Sequence, residues 1–285
     1  MDQTPLPFVL DDGKTYNDKG KKEIWCATAP SGLDKRQCTV QLTIFAEGKP
    51  RVRPTIIFRG QRKRVSKTEK DAWDSRVCVM FQEKAWCDEA IMKGWIDREW
   101  SNTFTNPHNP CSSGKILVAD VHTAQQTEAV KTALGKYKTE LVNVPPGCTS
   151  RVQPLDVSVN KPFKEEVKRH HEKHMSDNLQ LYTESKLSAW QRRVLLTKWV
   201  AEARKEINRN KETVFRSFKE CGVSLTLDGK ENDEINIEGI PDYEMPQADE
   251  IDGAADVEFH LESEDDSEDN ANEEAEYEAD ETVGV

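Results

Sequence analysis

Two short apolar runs near the middle of the chain constrain its fold most. Ile116-Leu-Val-Ala119 stops at an acid, Asp120, and Leu141–Val144 stops at Pro145-Pro146-Gly147. Between them Val130, Ala133, Leu134 and Tyr137 recur at the spacing of a helix that buries one face. Thr123-x-x-Gln126 has the form of a capping box that would start this helix. Apolar runs without alternation suit strands covered on both faces. The unit therefore reads strand–helix–strand, within an α/β sheet flanked by helices. Downstream, Asp156 stands just ahead of a segment that reads as helical from Lys161, with Pro162 in the one turn that tolerates it. Acids at element ends are poor core residues and natural site residues. Asp2 is a third such acid, and three isolated aspartates suit a divalent-metal site.

Elsewhere the pattern is mixed. Cys38–Phe45 alternates, with Val40, Leu42 and Ile44 on one face, and Val52–Phe58 reads as the antiparallel return strand. Pro54 marks that run as an edge or a bulge. Ile24–Thr28 and Val77–Phe81 read as further strands. Asp88–Trp100 reads as a helix with Ile91, Trp95, Ile96 and Trp100 on one side. Four of the seven Trp fall between Trp73 and Trp100, and their spacing marks them as core before base-stacking residues. Phe163, Val167, His170 and His174 share a face of the helix begun at Lys161. His170, His171 and His174 read as a solvated face rather than metal ligands. Leu187–Asn208 and Val214–Cys221 complete the helical part, with Gly222 as a stop.

Charge divides the 285 residues in two. Residues 228–285 hold 24 acidic side chains and one Lys, leaving 39 basic against 28 acidic residues before them. So acidic a tail cannot offset its ordering entropy and is expected to be disordered. It reads either as a solvating tail or as a competitor with DNA for the basic body. Arg59, Arg62, Lys63, Arg64 and Lys67 form a basic cluster, which reads as a phosphate contact, an import signal or a solvated loop. Seven cysteines, an odd number with no Cys-x-x-Cys, argue against a zinc site or a disulfide framework and fit a reducing compartment. No apolar run has the length of a membrane span, and no signal-peptide pattern opens the chain.

Gln153-Pro-Leu-Asp156-Val-Ser-Val-Asn160-Lys-Pro-Phe-Lys164 resembles the third catalytic segment of the pogo/Tigger-type DDE transposases, a superfamily that includes jerky-like proteins and centromere protein B. Met1-Asp2-Gln-Thr-Pro5 resembles the first-Asp motif and Leu117-Val-Ala-Asp120 the second. Ser217–Ser224 with Leu227-Asp-Gly229 resembles the segment that closes the domain. The resemblance implies a ribonuclease-H-like mixed sheet flanked by helices over residues 1–227, lacking its first strand, followed by the acidic disordered tail. It implies Asp2, Asp120 and Asp156 as catalytic and metal-binding residues, with two Mg²⁺ or Mn²⁺ ions as cofactors for DNA strand cleavage and transfer. DNA is the expected partner, through Arg59, Arg62, Lys63, Arg64, Lys67, Lys161 and Lys164. Further expectations are chromatin proteins on the tail, no membrane partner and a nuclear location, with a homodimer left open. The rival expectation is a domesticated, catalytically inactive DNA- and chromatin-binding protein of the nucleus.

Overall fold

Alternation along the first strands decides how the sheet is covered. The computed structural model describes residues 1–7, 37–105, 114–121, 123–183, 187–240 and 243, all within a unit running from Met1 to Tyr243. Strand β1 (Asp2–Pro7) pairs antiparallel with β2 (Gln37–Leu42), Asp2 lying opposite Leu42. β2 pairs antiparallel with β3 (Thr55–Arg59), the expected hairpin partner. Helix α1 (Lys67–Ala72) then crosses over, so that β4 (Cys78–Gln82) lies parallel to β3. Pro54 falls just before β3, where its missing N–H costs the ladder nothing, and its carbonyl accepts from the Cys78 N–H.

Side chains on the two faces of this four-stranded sheet enter two cores. Val40, Leu42, Ile56, Phe58 and Val79 point to one side and Ile57, Cys78 and Met80 to the other, as a period of two requires. The second face is covered by α2 (Glu89–Trp95) and a π-turn, Ile96–Trp100, continuing it. That π-turn interrupts the single helix expected over Asp88–Trp100. A short α3 (Asn102–Thr105) follows.

β5 (Lys115–Asp120) and β6 (Thr139–Val144) pair in parallel as a separate two-stranded sheet, joined through α4 (Glu128–Gly135). The cap of α4 is Thr127, whose side chain accepts from the Val130 N–H, and not Thr123, which begins a 3-10 turn. Gln126 instead accepts from the Asn143 side chain on β6.

The first face is covered by α6 (Pro154–Ser158), which follows α5 (Thr149–Val152), and by α7 (Asn160–Asp177), α9 (Ala189–Arg209) and α10 (Lys211–Glu220). The short α8 (Leu179–Thr183) links α7 to α9. Ser188 and Gln191 form a reciprocal capping box on α9. Arg193 of α9 clamps the buried Glu69 of α1 through two bonds of 2.7 and 2.8 Å. Gly222 ends the run at φ 70°, and residues 226–236 fold back so that Lys219 meets Glu231 and Glu234.

His171 departs from the solvated face expected for it. It is buried and meets the Trp199 ring edge-on at 5.3 Å. The result is a mixed sheet flanked by helices. The strand expected at Ile24–Thr28 and the extreme acidic stretch from Glu262 to Glu281 lie outside the described residues.

Candidate active site

Three elements bring the aspartates in. Asp2 is the first residue of β1 and Asp120 the last of β5. Asp156 lies in the first turn of α6, a helix and not a strand end. Pro154, Leu155 and Val159 around it are buried, so the packing of this turn fixes where the Asp156 carboxylate stands. Each of the three acids is half-buried.

Asn160 links two of them. Its Nδ2 donates to Asp2 Oδ2 at 2.5 Å and to Asp156 Oδ1 at 2.8 Å. Asn160 is 7% exposed, and its Oδ1 has no hydrogen-bond partner among the described residues. It stands four residues after Asp156, a helical spacing carried across the α6–α7 junction. Asp120 Oδ1 accepts from the Val121 N–H at 2.6 Å. Asp2 and Asp120 line one cavity of about 270 Å³, together with Trp86 and Gln125.

The electrostatics tie the third acid to the other two. Burial pushes the Asp156 carboxyl above its ordinary range, and the Asp2 carboxylate adds to this. The Asn160 bond opposes it, Asp120 raises it further and Lys164 lowers it. Beside them the Met1 amino group donates to the Val118 carbonyl at 2.6 Å. Burial lowers its pKa to about 6, against the pull of Asp2 and Asp156. Among the described residues, no three His, Cys, Asp or Glu side chains converge closely enough to form a ready ligand cage. The donor set nevertheless fits a hard cation: carboxylate oxygens that repel one another and an unpaired amide oxygen in a half-buried place.

The expected phosphate contacts divide into two groups. Arg59 ends β3, Arg62–Arg64 form an exposed 3-10 turn and Lys67 begins α1. Arg62 folds back, donating to the Val79 carbonyl and lying over the Trp73 ring. Lys161 and Lys164 are exposed on the first turn of α7, next to Asn160. Burial raises the Cys38, Cys87 and Cys221 thiols to about 12, which leaves these three unreactive.

Sequence pattern alone assigned Asn160 no role and placed Trp86 among the core tryptophans. Asn160 was legible as the i+4 partner of Asp156, had α6 and α7 been read as one helical path. Trp86 was not, because its exposure depends on the turn that holds it.

The family model of the DDE superfamily endonuclease matches residues 35–218, most of the chain and two of the three acids. The chain belongs to the DDE superfamily of endonucleases. It is a pogo-like member. It is 26% identical over 247 residues to the mouse (Mus musculus) pogo transposable element with KRAB domain, covering 86% of this chain and 38% of that protein. The human (Homo sapiens) counterpart is 26% identical over 263 residues, 92% of this chain and 40% of that protein. The human pogo transposable element with ZNF domain is 31% identical over 161 residues, 56% of this chain and 10% of that protein. The chain thus spans about two-fifths of the length of the KRAB-containing relatives. No solved structure matches. DDE superfamily endonucleases generally use divalent metals. No helix among the described residues is long and apolar enough to cross a membrane.

Proposed function

We propose that residues 1–227 form a ribonuclease-H-like nuclease domain in which Asp2, Asp120 and Asp156 hold two Mg²⁺ or Mn²⁺ ions for cleavage of DNA phosphodiester bonds. The observation that carries this is the joining of all three acids: Asp2 to Asp156 through Asn160, and Asp2 to Asp120 across one cavity. Such ions activate the attacking oxygen and stabilise the leaving one. The chain's own residues do the rest. Asn160 holds the Asp2 and Asp156 carboxylates at a fixed separation. Lys161 and Lys164 offer cations to the phosphates on either side. A nuclear location follows from DNA as the substrate.

Nicking of supercoiled plasmid tests the proposal. Wild type is expected to nick only with Mg²⁺ or Mn²⁺, and Asp120→Asn or Asp156→Asn to abolish it. Nicking that survives both substitutions would sink the assignment, as would an inert wild type. The rival reading is a non-catalytic DNA- and chromatin-binding protein of the nucleus. One observation favours it: the Asn160 amide already occupies one carboxylate oxygen of Asp2 and one of Asp156.

A further inference from the structure

Four tryptophans fall between Trp73 and Trp100, and three of them pack inward. Trp95 and Trp100 are buried and Trp73 lies against the first core. Trp86 is 64% exposed. This exposure is imposed by the backbone. Ala85 and Cys87 on either side are buried, and Ala85 takes φ 62°, which a residue with a side chain rarely adopts. Gln82 Oε1 accepts from both the Lys84 and Trp86 N–H groups, at 2.6 and 3.1 Å. The turn is thus anchored through the Lys84, Ala85 and Trp86 N–H groups, and the indole is displayed.

The indole faces the cavity that also holds Asp2 and Asp120. Two buried polar atoms there lack partners among the described residues: Gln125 Oε1, on a side chain 2% exposed, and Gln3 Nε2. One is an acceptor and the other a donor. A flat aromatic face together with an unpaired acceptor and donor is what a nucleobase needs, its face for stacking and its edge for hydrogen bonds. On the other side of the same turn lies the basic 3-10 segment. Gly60 N–H donates to the Gln82 carbonyl at 2.9 Å, and Arg62 and Lys63 line a groove with Gln82. Acids, aromatic ring and phosphate-binding cations therefore follow one another across a single turn.

We propose that Trp86, with Gln125 and Gln3, forms a pocket for one unstacked DNA base next to the aspartates, so that the strand is presented to them single-stranded at that nucleotide. The pocket rests on the nuclease reading for its purpose, but its binding is measurable without catalysis.

The test uses the full chain in EDTA, with a twelve-nucleotide single strand of thymidine and a blunt duplex as probes. Base stacking on an aromatic is worth about 1–3 kcal/mol, so Trp86→Ala is expected to weaken single-strand binding roughly tenfold or more. Trp86→Phe is expected to retain most of it, and duplex binding to change little. Gln125→Leu tests the edge contact with a probe carrying 2-aminopurine, whose fluorescence reports stacking: less quenching is expected than in the wild type. Because Trp86 is exposed, Trp86→Ala should melt like the wild type. Unchanged single-strand binding in Trp86→Ala would overturn the pocket, as would an equal loss on duplex or no saturable binding by the wild type. Metal-dependent nicking that persists alongside such a result would leave the nuclease reading standing. Trp86-dependent binding without any nicking would remove the nuclease and leave the base pocket.

Discussion

At the scale of single residues, Asp156 gives the sharpest pH signature. Its carboxyl is raised by burial and by the Asp2 carboxylate, so the folded chain holds this proton more tightly than the unfolded chain does. The resulting stabilisation is complete below the ordinary Asp value of about 3.9 and is lost as pH rises through the raised value. Asp156→Asn removes the charge and keeps the shape. In the absence of divalent cation it should melt above the wild type at pH 7, with the gap closing toward pH 3. A gap of the same size at both pH values would show that Asp156 carries no such tension. Of the three acids, Asp120 stands out in the sequence by ending an apolar run, and Asp2 and Asp156 stand out through the motifs they sit in. Of Asn160 only its spacing from Asp156 was readable, and Trp86 was not. The role of Asn160 depends on β1 reaching α7, 158 positions apart in sequence. The role of Trp86 depends on a left-handed backbone at Ala85 that no side-chain pattern announces.

At the scale of elements, α7 links the core to the site. Phe163 is fully buried among the sheet and α9 residues of the first core, one turn after Asn160. Phe163→Ala should cost about 3–5 kcal/mol, read from the urea midpoint at unchanged m-value. A loss below about 1 kcal/mol would mean the face is not packed as described. Periodicity was a good guide here. β2 and the helices α7, α9 and α10 lie where alternation and the 3.6-residue stripe put them, and β5 and β6 lie where the two apolar runs put them. The misreadings were at junctions. The cap moved from Thr123 to Thr127 because Gln126 is drawn to Asn143 on a neighbouring strand, and the helix ending at Trp100 widened into a π-turn. Both depend on contacts distant in sequence. His171 is a similar case: a charged helix hid one histidine that turns inward against Trp199.

At the scale of the whole molecule, charge separation is the dominant feature. Glu244–Val285 carries 18 acidic and no basic residues, so its deletion takes the formal net charge from −12 to +6. If that segment competes with DNA for the basic body, the deletion should tighten DNA binding at low salt. The gain should shrink as salt rises and the Debye length falls below about 10 Å. Equal affinities at 50 mM salt would assign the segment a purely solvating role.

The most direct measurement is a calorimetric Mn²⁺ titration of the full chain beside Asp120→Asn and Asp156→Asn. The acidic C-terminal residues will take up Mn²⁺ weakly in all three proteins, and that common background is the internal reference. The expected result is a tighter, saturable component in the wild type that both substitutions remove while the background stays. Identical isotherms in all three would contradict a metal site built from these aspartates.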